Sequence, residues 1–192
     1  MKPAIIVIDM LEDSFSEEHR NPVTSFAKAI VPNINRLTDI ARSKSIPVIF
    51  SMDSFMHGDF IFRGKMREHS IRGTKGAGLY QGLSHTDKDI CSHKRRFSAF
   101  FKTDIDQTLR LFNVDTVVLT GINSHWCVLS SALDALSNDF RAYIIEDCSA
   151  SYSEEVHRTT MNMYRNNPLY PLFKIMMLEE FLNELNETQS AR

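Results

Sequence analysis

The sequence predicts an α/β domain of three layers, in which a mostly parallel sheet of about six strands lies between two layers of helices. Short apolar runs rich in β-branched residues alternate along the chain with longer segments of helical periodicity, which is typical of βαβ units. The chain has 192 residues, of which 43% are hydrophobic and 24% are charged, enough apolar side chain for one globular core. We therefore expect a single domain over residues 1–192, with a short helix and a polar tail from about residue 178.

The N-terminal part begins with a buried strand and a long helix. Residues 4–8 form a continuous apolar run, as in strands that are buried on both faces. A helix is predicted from about residue 21 to residue 43, with Asn21 as its N-cap and Pro22 in its first position. Pro32 lies within this segment, where it predicts a break or a kink.

Glycine is concentrated in the middle of the chain. A second strand is predicted over residues 46–50 and a third over residues 89–92, and six of the seven glycines fall between them, within residues 58–82. The region of about 54–87 is therefore predicted to be a long loop. A helix over residues 103–113 follows, with its first residue as the cap.

The C-terminal part repeats the alternation of strand and helix three times. Its predicted strands cover residues 116–120, 142–146 and 172–176, and its predicted helices cover residues 126–138, 153–166 and 178–186. Gly121, the seventh glycine, provides a tight turn after the first of these strands, and Ser153 caps the second helix. Such an alternation produces a parallel sheet that is covered on both faces, a Rossmann-like arrangement.

Charge and cysteine content exclude several classes of protein. The net charge of −2 argues against binding to nucleic acid mainly through phosphate contacts. No apolar run approaches the ~20 residues of a membrane span, and the first residues lead directly into a strand, without a signal peptide. Cys91, Cys127 and Cys148 cannot all pair with one another and are expected to be free thiols. We therefore expect a cytoplasmic protein without nucleic-acid or membrane partners.

Reactive side chains occur where four of the predicted strands end. Asp9 follows the first strand, Asp53 the second, Lys94 the third and Cys127 the fourth. Ligands of such sheets bind beyond the carboxyl ends of the strands. We therefore expect these four side chains to converge on one site.

The position of Cys127 has two interpretations. At the start of a helix, the macrodipole favours the nucleophilic thiolate, and backbone N–H groups could hold an oxyanion. Free cysteine is equally often a buried core residue. Alone, Asp9 could cap a loop and Lys94 could be a solvated cation. Beside a thiol, however, the carboxylate could accept its proton and the ammonium could stabilise the thiolate.

Four segments occur in the order and at the spacing of a known family. They are VIDM at residues 7–10 followed by Asp13 and Phe15, HSIRGTKGA at residues 69–77, KRRFSAF at residues 94–100 followed by TDI at residues 103–105, and TGI at residues 120–122 followed by CV at residues 127–128. By these segments the sequence resembles the isochorismatase-like cysteine hydrolases, whose members include nicotinamidases and N-carbamoylsarcosine amidases. One departure is Leu11, which stands where the family usually has glutamine.

The resemblance implies a catalytic triad of Asp9, Lys94 and Cys127. Asp9 would deprotonate Cys127, whose sulfur attacks a carbonyl carbon, while the amides of Asn123 and Cys127 form the oxyanion hole. Ammonia or an amine would leave with a proton from Asp9, and water would then release the acyl group from sulfur. The resemblance also implies a cis peptide bond between Ile122 and Asn123.

Many nicotinamidases carry an Asp-x-His metal motif after the second strand. Here the matching residues are Asp53, Ser54 and Phe55, so the first metal histidine is missing, although His57 and His69 remain. We therefore predict no metal or other cofactor, with a zinc or other divalent ion near Asp53 and His69 as the alternative. This departure favours the metal-free amidases, and the loop that begins at His69 is most similar to the carbamoylsarcosine-amidase branch.

Several residues are candidates for substrate contact. They are Phe15, His69, Arg72 and Trp126. The basic residues expected around the mouth of the site are Arg67, Arg72, Arg95 and Arg96. One of these could pair with a substrate carboxylate, although surface solvation or a subunit contact explains each equally well. Alternation along the third strand should turn His93 away from Lys94 and out of the site.

The implied function is hydrolysis of a C–N bond in a small amide or carbamoyl substrate. The alternatives are nicotinamide hydrolysis, isochorismatase-type vinyl-ether hydrolysis, which needs no thiol, and a catalytically silent binding protein of the same fold. A Cys127 pKa near the ordinary ~8.5 would favour the binding protein, and a depressed pKa would favour the enzyme. The family usually forms dimers or tetramers, so we expect a homodimer or homotetramer with a small-molecule substrate as partner.

Overall fold

The computed structural model describes residues 1–16 and 21–190, and its centre is a sheet of six strands. The strands are β1 (Pro3–Ile8), β2 (Val48–Asp53), β3 (Ile90–Lys94), β4 (Thr116–Ile122), β5 (Arg141–Ala150) and β6 (Phe173–Met176). Their order across the sheet is β3-β2-β1-β4-β5-β6, and all five neighbouring pairs are parallel. The predicted α/β fold with six strands is confirmed, and the sheet is parallel throughout.

Helices cover both faces of this sheet. They are α1 (Glu12–Phe15), α2 (Thr24–Ser43), α3 (Ile105–Leu111), α4 (Leu129–Ser137), α5 (Glu154–Arg165) and α6 (Leu178–Ser190). Because side chains alternate along β1, Ile5 and Val7 pack with α2 and α6, whereas Ile6 and Ile8 pack with α3, α4 and α5. The core therefore consists of two apolar clusters, one on each face, as expected for three layers.

Helix α2 begins later than predicted and is not interrupted. Asn21 precedes the helix, and its side-chain oxygen accepts a hydrogen bond from the backbone of Val23 at 3.2 Å, so the predicted cap forms a turn before Thr24. The helix continues through Pro32, where we expected a break or a kink. An apolar face that includes Ile34 and Leu37 is buried along its length, and this burial outweighs the backbone bond that proline removes.

Strands β2 and β3 run further than predicted. Asp53 is the last residue of β2 and Lys94 is the last residue of β3, and the two are directly paired across the sheet. Parallel pairing therefore fixes the two side chains next to each other. Sequence patterns alone predict that both residues follow their strands.

Gly121 lies in a strand and not in the predicted tight turn. It pairs with Ile8 of β1 and has a φ of +102°, a conformation that favours glycine. A Cβ atom at this position would lie 2.1 Å from the carbonyl oxygen of Ile8. The glycine is needed because β1 and β4 approach closely here, and the chain leaves the sheet only after Ile122. A π-helical turn (Ser124–Val128) follows and leads into α4.

We expect Gly121→Ala to reduce the free energy of unfolding by about 3 kcal/mol, because the methyl group meets fixed backbone in a strained conformation. The measurement is urea denaturation of the variant and the original protein. Gly64→Ala is the matched control, since φ there is −88° and the nearest atom to a new Cβ is 3.9 Å away. Equal stability of the two variants would contradict this interpretation.

The glycine-containing loop is bound to the segment that follows β1. The backbone of Ser70 donates to Asp13 Oδ2 at 2.6 Å, and that of Tyr80 donates to the carbonyl of Met10 at 3.0 Å. A Cβ at Gly76 would lie 2.1 Å from Asp13 Oδ1, so the loop approaches as closely as glycine allows. This contact holds the loop against one side of the carboxyl edge of the sheet.

In the described part of the chain, none of the helices has both the length and the apolar character that crossing a bilayer requires. The cytoplasmic location and the single domain remain predictions.

Candidate active site

Asp9 is fixed by hydrogen bonds to both of its carboxylate oxygens. It follows β1 directly and is 6% exposed. Its Oδ1 accepts from the backbone N–H of Asp53 at 2.9 Å, and its Oδ2 accepts from Lys94 Nζ at 2.7 Å. The carboxylate therefore has one orientation at the carboxyl edge of the sheet.

Lys94 is a fully buried cation between two carboxylates. Its Nζ lies 2.7 Å from Asp9 Oδ2 and 2.5 Å from Asp53 Oδ1. Burial alone would lower the pKa of Lys94, but the charges of Asp53 and Asp9 outweigh it and raise the pKa. The ammonium is therefore permanently charged and binds the two acids to each other.

Asp53 is a fourth member of the cluster, and sequence reasoning gave it no catalytic role. Burial and the neighbouring charge of Asp9 raise its pKa to about 7, against the opposing charge of Lys94. The available signal was an aspartate at the end of the strand next to β1, but sequence alone could not show its contact with the lysine.

Cys127 lies within reach of both acids. It is in the π-helical turn, is 7% exposed, and its sulfur and one carboxylate oxygen each of Asp9 and Asp53 lie within 4.8 Å of one another. Burial, together with the two carboxylates, raises the pKa of the Cys127 thiol well above its usual range, although Lys94 opposes this. The direction is opposite to the depressed pKa that we expected of an enzyme, so this criterion does not favour the enzyme over the binding protein. The resting sulfur carries its proton, and the Asp9 carboxylate lies near enough to take it.

The turn around Cys127 is fixed by backbone hydrogen bonds. The amides of Trp126 and Val128 both donate to the carbonyl of Asn123, at 3.0 and 3.2 Å. The peptide bond between Ile122 and Asn123 is cis, at the position that the family resemblance implied. The amides assigned to the oxyanion hole, those of Asn123 and Cys127, thus belong to a defined turn.

Two pairs of histidine and serine also contact this turn, and sequence reasoning missed both. His157 Nδ1 lies 3.1 Å from Ser124 Oγ, and His125 Nδ1 lies 2.8 Å from Ser151 Oγ. Burial lowers the pKa of both histidines, so the rings are neutral at pH 7. These pairs connect the turn to α5 and to the residue after β5.

A cavity of about 90 Å³ lies in front of Cys127. Two of the predicted substrate contacts line it, His69 and Trp126, together with Asn123. The Trp126 ring stacks on Phe97 with 4.9 Å between centroids, which gives the cavity an aromatic wall. Nδ1 of His69 is paired with the carbonyl of Arg67 at 2.9 Å.

Phe15 and Arg72, the other two predicted substrate contacts, do not line this cavity. Phe15 is 5% exposed, and its ring stacks on Tyr80 with 3.6 Å between centroids. Arg72 lines a separate cavity. A hydrogen bond from its Nε to Ser54 Oγ holds the side chain there. The structure therefore gives no support to substrate contact by either residue.

The basic residues near Lys94 also lie outside the cavity at Cys127. His93, Arg95 and Arg96 line the same separate cavity as Arg72, and Arg67 is absent from the described lining at Cys127. His93 is exposed whereas its neighbour Lys94 is buried, as expected if the two side chains point to opposite faces of the strand. Pairing of a substrate carboxylate with Arg67, Arg72, Arg95 or Arg96 thus has no support among the described residues.

The cluster does not fit a metal ion. Asp9, Asp53 and Cys127 offer three ligand atoms, but the Lys94 ammonium already binds both carboxylates, and a divalent cation would have to displace it or lie beside it. The two histidine candidates, His69 and His57, are not part of this group of ligand atoms. Nδ1 of His69 is paired with the carbonyl of Arg67 at 2.9 Å, and His57 is paired with Glu68 at 2.6 Å with its side chain 77% exposed. The protein's own cation, Lys94, therefore already occupies the position between the two acids and offsets one of their two charges.

Asp53→Asn should change how stability depends on pH. The pKa of Asp53 is about 7 in the folded protein and near 3.8 when unperturbed, so between these values the folded chain holds a proton that the unfolded chain has lost. Rising pH therefore favours unfolding over this window. We expect the stability of the variant relative to the original protein to increase from pH 4 to pH 7 and then level off, as measured by urea denaturation. A difference that is constant with pH would contradict the raised pKa.

Comparisons with known proteins show which family the chain belongs to. The family model described as "Isochorismatase domain" matches residues 3–174. A probable inactive nicotinamidase of Arabidopsis thaliana is 31% identical over 173 residues, which cover 85% of this chain and 88% of the relative. An isochorismatase-like hydrolase from Alkaliphilus metalliredigens has a TM-score of 0.85 and 30% identity, covering 96% of this chain and 100% of that one.

A further solved structure with the same fold is N-carbamoylsarcosine amidase from Thermoplasma acidophilum. It has a TM-score of 0.80 and 26% identity, covering 93% of this chain and 97% of that one. With a family match that extends from β1 into β6, and with relatives that share both sequence and fold, the chain belongs to the isochorismatase-like hydrolase family.

Proposed function

We propose that the protein is a cysteine-dependent amidohydrolase that cleaves the C–N bond of a small amide or carbamoyl substrate through a thioester. The observation that carries this proposal is the position of the Cys127 sulfur, within 4.8 Å of a carboxylate oxygen of Asp9, which Lys94 holds at 2.7 Å. A nucleophile, a proton acceptor and a buried cation thus form one cluster beside a cavity.

The first step uses the contacts already in place. Cys127 Sγ attacks the carbonyl carbon while its proton moves to Asp9, so no free thiolate is needed and the raised pKa of the thiol is not an obstacle. The backbone N–H groups of Asn123 and Cys127 stabilise the oxygen that becomes negative. Lys94 limits the charge that the site must hold as the tetrahedral intermediate forms.

The same carboxylate then completes the reaction. Asp9 gives its proton to the nitrogen, the C–N bond breaks, and ammonia or an amine leaves. Water next attacks the thioester with Asp9 as the base, which releases the acid and returns the proton to sulfur. One residue thus acts as base, acid and base again.

The cavity favours a small substrate. Its volume of about 90 Å³ is well below the ~300–1,000 Å³ of pockets that bind drug-sized ligands, which favours a compact amide or carbamoyl compound. Hydrolysis of a carbamoyl group also agrees with the likeness to a solved N-carbamoylsarcosine amidase.

The test is ammonia release from a panel of small amides, carbamoyl compounds, ureido acids and nicotinamide, with Cys127→Ala as the control. We expect turnover of at least one carbamoyl or small amide compound, and none by the variant. Turnover of nicotinamide alone would move the assignment to nicotinamidase. Release that persists in Cys127→Ala, cleavage of a vinyl ether only, or no turnover of any compound, as in a silent relative, would overturn the proposal.

A further inference from the structure

We propose that a second cavity, next to the edge strand β3, binds a small anion that carries phosphate groups. This cavity encloses about 360 Å³ and shares no lining residue with the cavity at Cys127. Its lining residues are Arg72, His93, Arg95, Arg96, Phe101 and Lys102. We call it the basic cavity.

The charge of the basic cavity is strongly positive. Four of its six lining residues are arginine or lysine, a fifth is a histidine, and no carboxylate is among them. One carboxylate that does not line the cavity, Asp59, pairs with Arg95 and Arg96, and its side chain is 3% exposed. Four positive charges against one negative charge leave +3 here, whereas the whole chain carries −2. Such a local excess attracts anions.

Buried partners hold two of the guanidinium groups in position. Arg72 Nε donates to Ser54 Oγ at 2.9 Å, and Ser54 is 2% exposed. Arg95 Nε donates to Asp59 Oδ2 at 3.2 Å, and its Nη2 donates to the other oxygen of that carboxylate. Both groups are thus oriented before any ligand binds, which reduces the entropy lost on binding.

Unused donors remain in the basic cavity. Among the described contacts, the two Nη groups of Arg72 have no acceptor, and Lys102 Nζ has no carboxylate but lies 5.4 Å from the centre of the Phe101 ring. Guanidinium groups match the paired oxygens of phosphate, and lysine adds a point charge. The ligand is therefore expected to carry phosphate. It is either an inorganic polyphosphate or a phosphate ester whose organic part contacts Phe101, a ring that is 47% exposed.

The test uses the full chain and two probes, pyrophosphate and phenyl phosphate, titrated by calorimetry and by amide chemical shifts. We expect at least one probe to bind with shifts at the lining residues, with affinity that falls as salt rises. Arg72→Gln and Lys102→Gln should each weaken binding by 10-fold or more. Tighter binding of pyrophosphate would point to inorganic polyphosphate, and tighter binding of phenyl phosphate to an ester.

The matched control is Arg63→Gln, an exposed arginine over the Phe60 ring and outside the basic cavity. The affinity of this variant for the probes should stay within twofold of the affinity of the unsubstituted protein. Absence of binding of both probes at 10 mM, or an equal loss of affinity in Arg63→Gln, would overturn the proposal. Because the measurements need no turnover, their outcome is independent of the proposed amidohydrolase activity.

Discussion

Asp9→Asn is expected to lower kcat/KM for ammonia release by about 10³-fold, within the range that a positioned acid–base group contributes. Asparagine has the same shape and can still accept the hydrogen bond from the Asp53 amide, so the fold should be retained. What it cannot do is take the proton from Cys127 and return it to the leaving amine. The measurement is the initial rate on the best substrate of the panel.

The matched control for Asp9 is Asp89→Asn. Asp89 is also a buried carboxylate, 5% exposed in its side chain and paired with Arg42 at 2.8 Å, but it does not line the cavity at Cys127. Its replacement should leave kcat/KM within about threefold in the folded protein. If Asp9→Asn retained activity at the level of this control, Asp9 would not be the proton acceptor.

Lys94→Met is expected to have the largest effect on stability. The substitution leaves the carboxylates of Asp9 and Asp53 buried without their cation, and breaking such a pair typically costs 3–5 kcal/mol, so about that loss is expected at pH 8. At pH 5 the loss should be smaller, since Asp53, whose pKa is raised to about 7, carries its proton in the folded state there and leaves less charge without a partner. Urea denaturation at the two pH values measures both effects.

A double variant separates charge from packing at Lys94. Lys94→Met with Asp53→Asn leaves one carboxylate instead of two, so part of the lost stability should return at pH 8. A loss below about 1 kcal/mol in Lys94→Met, or no recovery in the double variant, would show that the ammonium does not hold the acids together.

The fold was largely predictable because it depends on periodicity. Continuous apolar runs predict strands buried on both faces, and alternation with helices predicts the parallel sheet. Convergence of Asp9, Lys94 and Cys127 followed from the same rule, since parallel strands bring their carboxyl ends to one edge. Gly121 was recognised as special but for the wrong reason, because the close approach of Ile8 is a contact between strands distant in sequence.

Electrostatics and side-chain direction were not predictable in the same way. The helix start suggested a depressed pKa for Cys127, but burial and two carboxylates reverse the direction. The role of Asp53 depends on the pairing of β2 with β3, which no local pattern reveals. Arg72 was placed at the substrate for its motif, whereas its bond to Ser54 directs it to the basic cavity.

The central claim is that the reaction passes through a thioester on Cys127, and intact-protein mass spectrometry tests it most directly. The reaction would be quenched with acid during the first turnover, in a Cys91→Ala background because Cys91 is an exposed thiol. We predict a mass increase equal to the acyl group, located on the peptide that contains Cys127 and absent from Cys127→Ala. Undiminished turnover by Cys127→Ala, with no acyl group on the original protein, would contradict the account.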